Sequence, residues 1–233
     1  MLMNKKNSLE ELEEKIGYHF QNKGLLKEAL THSSYANEQK INKVNDYERL
    51  EFLGDAVLEL ISSDFLFKMK PDMPEGKMTK MRSSMVCEPA LAYCARDLEL
   101  GKYMLLGKGE EVTGGRNRES ITSDAMEAVI GAIYIDGGLE KASQHIRRFI
   151  LSDLENKILF YDSKTVLQEM VQIHPDSVFE YCLTREQGPD HDKNFEVDAV
   201  LNGEIIGKGK GRTKKAAEQQ AAYESILFLK KRE

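Results

Sequence analysis

The sequence holds no run of the ~18 uninterrupted apolar residues that a membrane-spanning helix needs, so no segment reads as a membrane span. It also lacks a signal-peptide core near its start, where "MLMNKKNSLEELEEKIG" carries two early lysines and then turns polar and acidic. Its 3 cysteines, Cys87, Cys94 and Cys182, form no Cys-x-x-Cys pair and leave an odd thiol over. A reducing cytoplasm is the expected compartment. Positive charge is in deficit: Lys+Arg 33 against Asp+Glu 39 gives a net charge of -6, without the global basic signature of a nucleic-acid binder. Any such role must rest on a local cluster, and one exists. No acidic residue occurs from Ile205 to Ala217, while Lys208, Lys210, Arg212, Lys214 and Lys215 crowd together there.

What is present is enough apolar residue, 41%, for one large or two small cores in 233 residues, and two domains are expected. Up to about residue 160 the apolar residues recur mostly at helical spacing: Leu9 to Ile16, Leu25 to Leu30, residues 45 to 67, Met78 to Val86, Pro89 to Leu98, Asp124 to Tyr134 and Lys141 to Ile158. The breaks "KPDMPEGK", "LGKGEEVTGGRNRES" and "IDGG" contain Gly or Pro, as loops do. After Tyr161 the order becomes helix, three strands, helix. "SKTVLQEMVQI" is helical, "SVFEYCLTREQ" alternates like a half-buried strand, "GPDH" turns, and "NFEVDAVLNGEIIGKGKG" gives two strands joined by an Asn202-Gly203 hairpin. An Ala-rich helix that Thr213 can cap closes the chain. The fold class is therefore an all-helical domain over 1–156, a linker over 157–162 and a small α-β-β-β-α domain over 163–230.

Two acidic constellations carry chemistry. In "NDYERLEFLGDAVLEL", Glu48, Glu51 and Asp55 share one helical stripe, opposite Leu50, Leu53, Val57, Leu60 and Ile61. Like charges at this spacing cost a helix roughly 0.2 to 0.5 kcal/mol per pair, so the stripe is either solvated or faces something positive. In "SITSDAMEAVIGAIYIDGG", Asp124 and Glu127 sit one turn apart on a helix that is apolar almost all round and is expected to be buried. Asp124 alone could be a helix-start charge; Glu127, a turn further in, has no such account. A buried carboxylate must be neutral, paired or metal-bound. Carboxylates from two helices, without His or Cys, favour Mg²⁺ or Mn²⁺ over zinc. Paired metals of this kind hydrolyse phosphodiesters. In the closing helix, Lys214 and Lys215 oppose the helix dipole but suit an anion such as phosphate, with the preceding Gly-Lys repeat letting the backbone come close.

These residues resemble a known family. "YERLEFLGDAVLEL" is similar to the signature of the ribonuclease III endonuclease domain, and "LTHSSYANE", "EGKMTKMRSSMV", "GGRNRES" and "SDAMEAVIGAIYIDGG" follow in the family's order. The region from Tyr161 resembles a double-stranded RNA binding domain, with "KTVLQEMVQ", "GPDHDKNFEV" and "GKGKGRTKKAAEQQAA" as its contact elements. The resemblance implies a Mg²⁺-dependent endoribonuclease of double-stranded RNA in which Glu51, Asp55, Asp124 and Glu127 ligate metal, with Asp55 and Glu127 catalytic and Glu127 the most sensitive. Glu48 and Glu75 match further acidic positions near the cleavage region. It implies 5'-phosphate and 3'-hydroxyl products, a homodimer that cuts both strands, and RNA contacts by Thr165, Gln168, Glu169, His191, Lys214 and Lys215. Ribosomal RNA precursors, structured messages and small RNAs are the implied substrates. Departures are small: Ser33 where the family often has Arg, and Thr122 where it has an aliphatic residue. The competing function is a double-stranded RNA binding or ribosome-associated protein without cleavage activity. A hydrolase of small phosphates is disfavoured, since it gives the second domain no purpose.

Overall fold

The structure is a computed structural model that describes residues 5–39, 44–152, 163–172, 177–188, 193–211 and 213–232. The chain divides into two compact units, Met1–Leu154 and Glu155–Glu233.

Among the described residues the first unit is helical: α1 (Lys5–Ile16), α2 (Lys23–Ala29), α3 (Ser33–Glu38), α4 (Glu48–Met69), α5 (Glu75–Val86), α6 (Glu88–Asp97), α7 (Leu100–Tyr103), α8 (Lys108–Val112) and α9 (Glu119–Phe149). Asp46 starts α4 by accepting from the Glu48 N–H at 3.2 Å, satisfying a donor that has no partner inside the helix. The centre of the unit is α9, where Ala125, Met126, Ala128, Val129, Ile130, Ala132 and Ile133 are all 0% exposed. A helix enclosed on every side is what its all-round apolar sequence demands. The break expected at "IDGG" is a kink: Gly138 has φ 79, a left-handed value within an otherwise continuous helical span. Next to it, Asp136 accepts from Tyr18 Oη at 2.8 Å and from the Gln21 and Asn22 backbone at 2.8 and 2.9 Å, which ties α9 to the start of α2. The stretch taken as one long loop, "LGKGEEVTGGRNRES", contains α8 and a 3-10 turn at Gly115–Asn117, and α9 begins within it at Glu119. Asp124 thus lies in the second turn of α9, beyond most of the dipole's help, so the helix-start account of it does not hold.

The expected apolar stripe of α4 needs one correction. Leu50, Val57, Leu58 and Ile61 are buried, but Leu60 is 58% exposed and lies on another side of the helix with Phe52 and Phe67. The helix has two apolar sides, one packed on α9 and one open.

The second unit is α10 (Ser163–Gln172), β1 (Phe179–Gln187), β2 (Asn194–Leu201), β3 (Glu204–Gly211) and α11 (Lys214–Lys230), with an antiparallel sheet in the order β1-β2-β3. Asn202 and Gly203 have φ 51 and 83, the two positive values of a type I′ hairpin turn. Thr213 caps α11, its hydroxyl accepting from Ala216 N at 3.1 Å. One expectation is overturned here. Gly207 and Gly209 of the Gly-Lys repeat do not open the backbone to an anion; β-carbons on them would lie 2.4 and 2.0 Å from the Ala221 and Ala217 carbonyls of α11. The strand alternates with period two, so the glycines face inward against the alanine face of α11 and Lys208 and Lys210 face outward. Those two lysines pair with Asp198 and Glu196 of β2 at 3.2 and 2.8 Å.

Candidate active site and RNA-binding surface

The site follows from how α4 and α9 cross. A β-carbon on Gly54 would lie 1.8 Å from the Glu127 carbonyl, and one on Gly131 would lie 2.2 Å from the Leu50 carbonyl. Only glycine at both positions allows the two backbones to touch. Glu51 and Asp55 flank Gly54, while Glu127 lies one turn before Gly131, so the contact delivers carboxylates from both helices to one place. Glu51, Asp124 and Glu127 each present an oxygen within 4.8 Å of the others. Asp55 stands beside them; its charge acts on both Glu127 and Glu51, although it is not one of the three.

The electrostatics describe a site short of positive charge. Burial, then the charges of Asp55, Glu51 and Asp124, push Glu127 up to about 8. Burial, then Asp124, Glu48 and Asp55, push Glu51 up to about 7. Asp55 is raised by burial and by Glu59. Asp124 is raised chiefly by burial, partly offset by hydroxyl donors on Ser123 and Tyr47 and by His32. Every charge acting on Glu51, Asp55 and Glu127 is another carboxylate. A hard cation with oxygen ligands relieves this arrangement, and the donor set fits one.

Two further acidic residues were expected nearby. Glu48, exposed at the start of α4, acts on Glu51. Glu75 is not brought to the three: it accepts from Thr79 Oγ1 at 2.8 Å and borders a groove of about 410 Å³ with Leu60, Phe67, Met78 and Arg82. Sequence reasoning missed Tyr47. It is 3% exposed and reads as a core aromatic, yet burial and then the charges of Asp124, Glu51 and Glu48 raise its hydroxyl well above the ordinary tyrosine value, which marks it as a neighbour of the site. The available signal was its place immediately before the signature helix.

In the second unit, Thr165, Gln168 and Glu169 share the exposed face of α10, at the three- and four-residue spacing of one helix side. Lys214 and Lys215 are exposed in the first turn of α11. His191 lies outside the described residues.

Comparison with known proteins identifies the family of both units. Residues 22–154 match the family described as Ribonuclease-III-like, and residues 163–229 match the double-stranded RNA binding motif. Ribonuclease 3 of Listeria innocua is 49% identical over 225 residues, covering 96% of this chain and 98% of that protein. Ribonuclease 3 of Shouchella clausii is 49% identical over 230 residues, 98% of this chain and 88% of that protein. Among solved structures, a nuclease domain of ribonuclease III from Campylobacter jejuni, described for flexibility in its dimer-forming region, is 42% identical with a TM-score of 0.57 over 61% of this chain and 95% of that one.

Fold, site and similarity define a class: nucleases that join a helical catalytic domain to a double-stranded RNA binding domain. Its carboxylates and its second unit both fit that class. The chain belongs to the ribonuclease III family, and its activity is endonucleolytic cleavage of double-stranded RNA.

Proposed function

We propose that Glu51, Asp55, Asp124 and Glu127 hold divalent metal, Mg²⁺ with Mn²⁺ able to substitute, and that phosphodiesters of double-stranded RNA are hydrolysed there to 5'-phosphate and 3'-hydroxyl ends. The observation that carries this is the meeting of three carboxylate oxygens within 4.8 Å across two helices in backbone contact. When bound, the metal supplies an activated water and stabilises the leaving oxygen. Glu127, the most strongly raised of the four, must lose its proton for the site to charge fully. Asp55 is more exposed than the other three, so a phosphate can approach it. Glu48 supports Glu51 from the helix start, and Glu75 belongs to the cleavage region more remotely.

Shape, more than sequence, guides the second unit. A-form RNA offers a wide minor groove with 2'-hydroxyls and a major groove flanked by phosphates, read over ~16 bp. Thr165, Gln168, Glu169 and His191 meet minor grooves, and Lys214 and Lys215 grip phosphates between them. A homodimer forms through the open apolar side of α4, where Phe52 is 80%, Phe67 72% and Leu60 58% exposed. Two copies then cut the two strands. Substrates are ribosomal RNA precursors, structured messages and small RNAs, in the cytoplasm. No described helix is long and apolar enough to cross a membrane.

The test is cleavage of an end-labelled RNA duplex by the native chain and by Glu127→Gln, each with Mg²⁺ and with EDTA, beside a binding assay. Cutting that needs Mg²⁺ and falls by roughly 10³-fold or more in the variant, about 4 kcal/mol of barrier, while duplex binding persists, supports the site. A native chain that binds and never cuts would sink it in favour of a binding protein.

A further inference from the structure

The short helix α7 stops where one more bond would have continued it. That bond would run from the Leu105 N–H to the Gly101 carbonyl. Instead Leu105 N donates to the Leu30 carbonyl at 2.8 Å, and the Leu105 carbonyl accepts from His32 N at 3.0 Å. The result is an isolated parallel bridge between Thr31 and Leu105. The next donor along, Lys108 N, is also diverted, to Glu38 Oε1 at 2.8 Å. Gly101 and Met104 thus lose the helical donors of their carbonyls, and both residues are buried.

One side chain takes up both carbonyls. Arg116 Nη1 donates to Gly101 O at 2.9 Å and to Met104 O at 2.7 Å, while Nε and Nη2 donate to the two oxygens of Glu111 at 2.6 Å each. Four of the five donors of a rigid guanidinium fork are thereby committed. The main chain closes in as well, since a β-carbon on Gly101 would lie 2.1 Å from the Arg116 carbonyl.

This junction holds the starts of both acidic helices. On one side the buried Thr31 accepts at its carbonyl from Tyr47 N at 2.9 Å, and the Tyr47 carbonyl accepts from Leu50 and Glu51 N–H at 2.8 and 2.9 Å, bonds that open α4. On the other side Arg116 stands two residues before Arg118, whose carbonyl accepts from Thr122 N at 3.1 Å and opens α9. Asp124 follows two residues later. The glycine contact sets how closely α4 and α9 approach, and the junction sets where each helix begins. A displacement of about 1 Å from a change far from the chemistry can cost roughly 100-fold in rate.

We propose that Arg116 is a positioning residue of the carboxylate cluster: by supplying the donors that α7 lacks, it secures the bridge between Thr31 and Leu105 and so holds the starts of α4 and α9 where Glu51 and Asp124 can meet. Its effect is read through the cation, so it rests on the metal reading of the preceding subsection.

The experiment is Mn²⁺ titration of the full chain without RNA, followed by the electron paramagnetic resonance signal of free Mn²⁺, beside cleavage kinetics and thermal melts, on the native chain, Arg116→Met, Arg116→Lys, Asp136→Ala and Glu127→Gln. Arg116→Met keeps an apolar stem and removes every donor. It is expected to weaken Mn²⁺ binding by about 10-fold and to lower kcat, with KM for the duplex little changed. Arg116→Lys keeps the charge but cannot span two carbonyls and Glu111, so it should recover only part of the loss. Asp136→Ala supplies the comparison for plain loosening: it unties α9 from the start of α2, well beyond Glu127, and should lower the melting temperature while Mn²⁺ binding stays native-like. Native-like Mn²⁺ binding by Arg116→Met overturns the proposal. So does full recovery by Arg116→Lys, since charge alone would then suffice, and so does an equal loss of affinity in Asp136→Ala. Glu127→Gln separates the two levels: if it binds Mn²⁺ as the native chain does, the metal reading falls and the role of Arg116 with it, whereas if it loses Mn²⁺ and Arg116→Met does not, the role of Arg116 alone falls.

Discussion

Gly54 of α4 lies against the Glu127 carbonyl of α9 so closely that a β-carbon on Gly54 would sit 1.8 Å from that oxygen. The contact is backbone to backbone, so no side-chain rotation can relieve it. It is also what sets the distance between the two acidic pairs. The same glycine therefore governs stability and chemistry, and a single methyl group should damage both.

Gly54→Ala is accordingly expected to force α4 and α9 apart. Overpacking of a tight core typically costs about 1–3 kcal/mol, and here the clash falls on main chain, so the upper part of that range is expected. Urea denaturation would show a lower midpoint, and cleavage should fall along with Mn²⁺ affinity. Unchanged cleavage at full stability would mean that the helix spacing is not what assembles the carboxylates.

The site's electrostatics predict how the metal-free protein responds to pH. Glu51 and Glu127 titrate near their ordinary value of 4.5 when unfolded, but are pushed up to about 7 and about 8 in the folded chain. Between those limits the folded state binds more protons than the unfolded one, so these two groups make stability fall as pH rises from about 4.5 through 8. Thermal melts in EDTA at pH 5.5, 7 and 8.5, taken as the difference between the native chain and Glu127→Gln, isolate this contribution. The variant should lose least at high pH, and Mg²⁺ should narrow the gap by stabilising the native chain where its carboxylates are charged. A difference that does not change with pH would show that the charges are already compensated.

Much of this was legible in the sequence, for identifiable reasons. Glu127 stood out because an ionisable group in an all-round apolar helix has no structural benefit there. The hairpin at Asn202-Gly203 was legible because both residues tolerate the positive φ that a tight turn needs. Gly54 and Gly131 were not, since a glycine inside a helical pattern signals only lowered propensity and cannot announce which neighbour it admits. Leu60 was placed on the wrong side because one buried face was assumed, whereas α4 also carries the exposed Phe52 and Phe67. The Gly-Lys repeat could have been read correctly: strict alternation puts glycines and lysines on opposite faces of β3, and an alanine-rich helix following it explains which face needs glycine.

The exposed side of α4 bears on assembly. Phe52 is 80% exposed, so replacing it should leave the folding of one subunit nearly untouched. If that side is the proposed dimer seam, Phe52→Ser shifts the chain towards monomer in sedimentation at micromolar concentration, and its melting temperature depends less steeply on protein concentration than the native chain's. A large aromatic at an interface is often worth about 2 kcal/mol or more, roughly a 30-fold weaker dimer. Sedimentation identical to that of the native chain would place the dimer elsewhere.

The last expectation concerns the two lysines at the start of α11. Lys208 and Lys210 already face acids on β2, so Lys214 and Lys215 carry the part of the basic cluster best placed for phosphate. Their position is costly for the helix, since cations at its positive end oppose the dipole by about 0.3–1 kcal/mol each. Lys214→Ala with Lys215→Ala should therefore leave the second unit as stable as before or slightly more so, while weakening binding of any duplex, whatever its sequence. Each lost phosphate contact should lower the slope of log K against log salt by about 1. The cleavage rate at saturating RNA should hold, because the carboxylates lie in the other unit. Binding whose salt slope is unchanged would show that these lysines meet no phosphate, and that the misplacement of two cations at a helix start has some other cause.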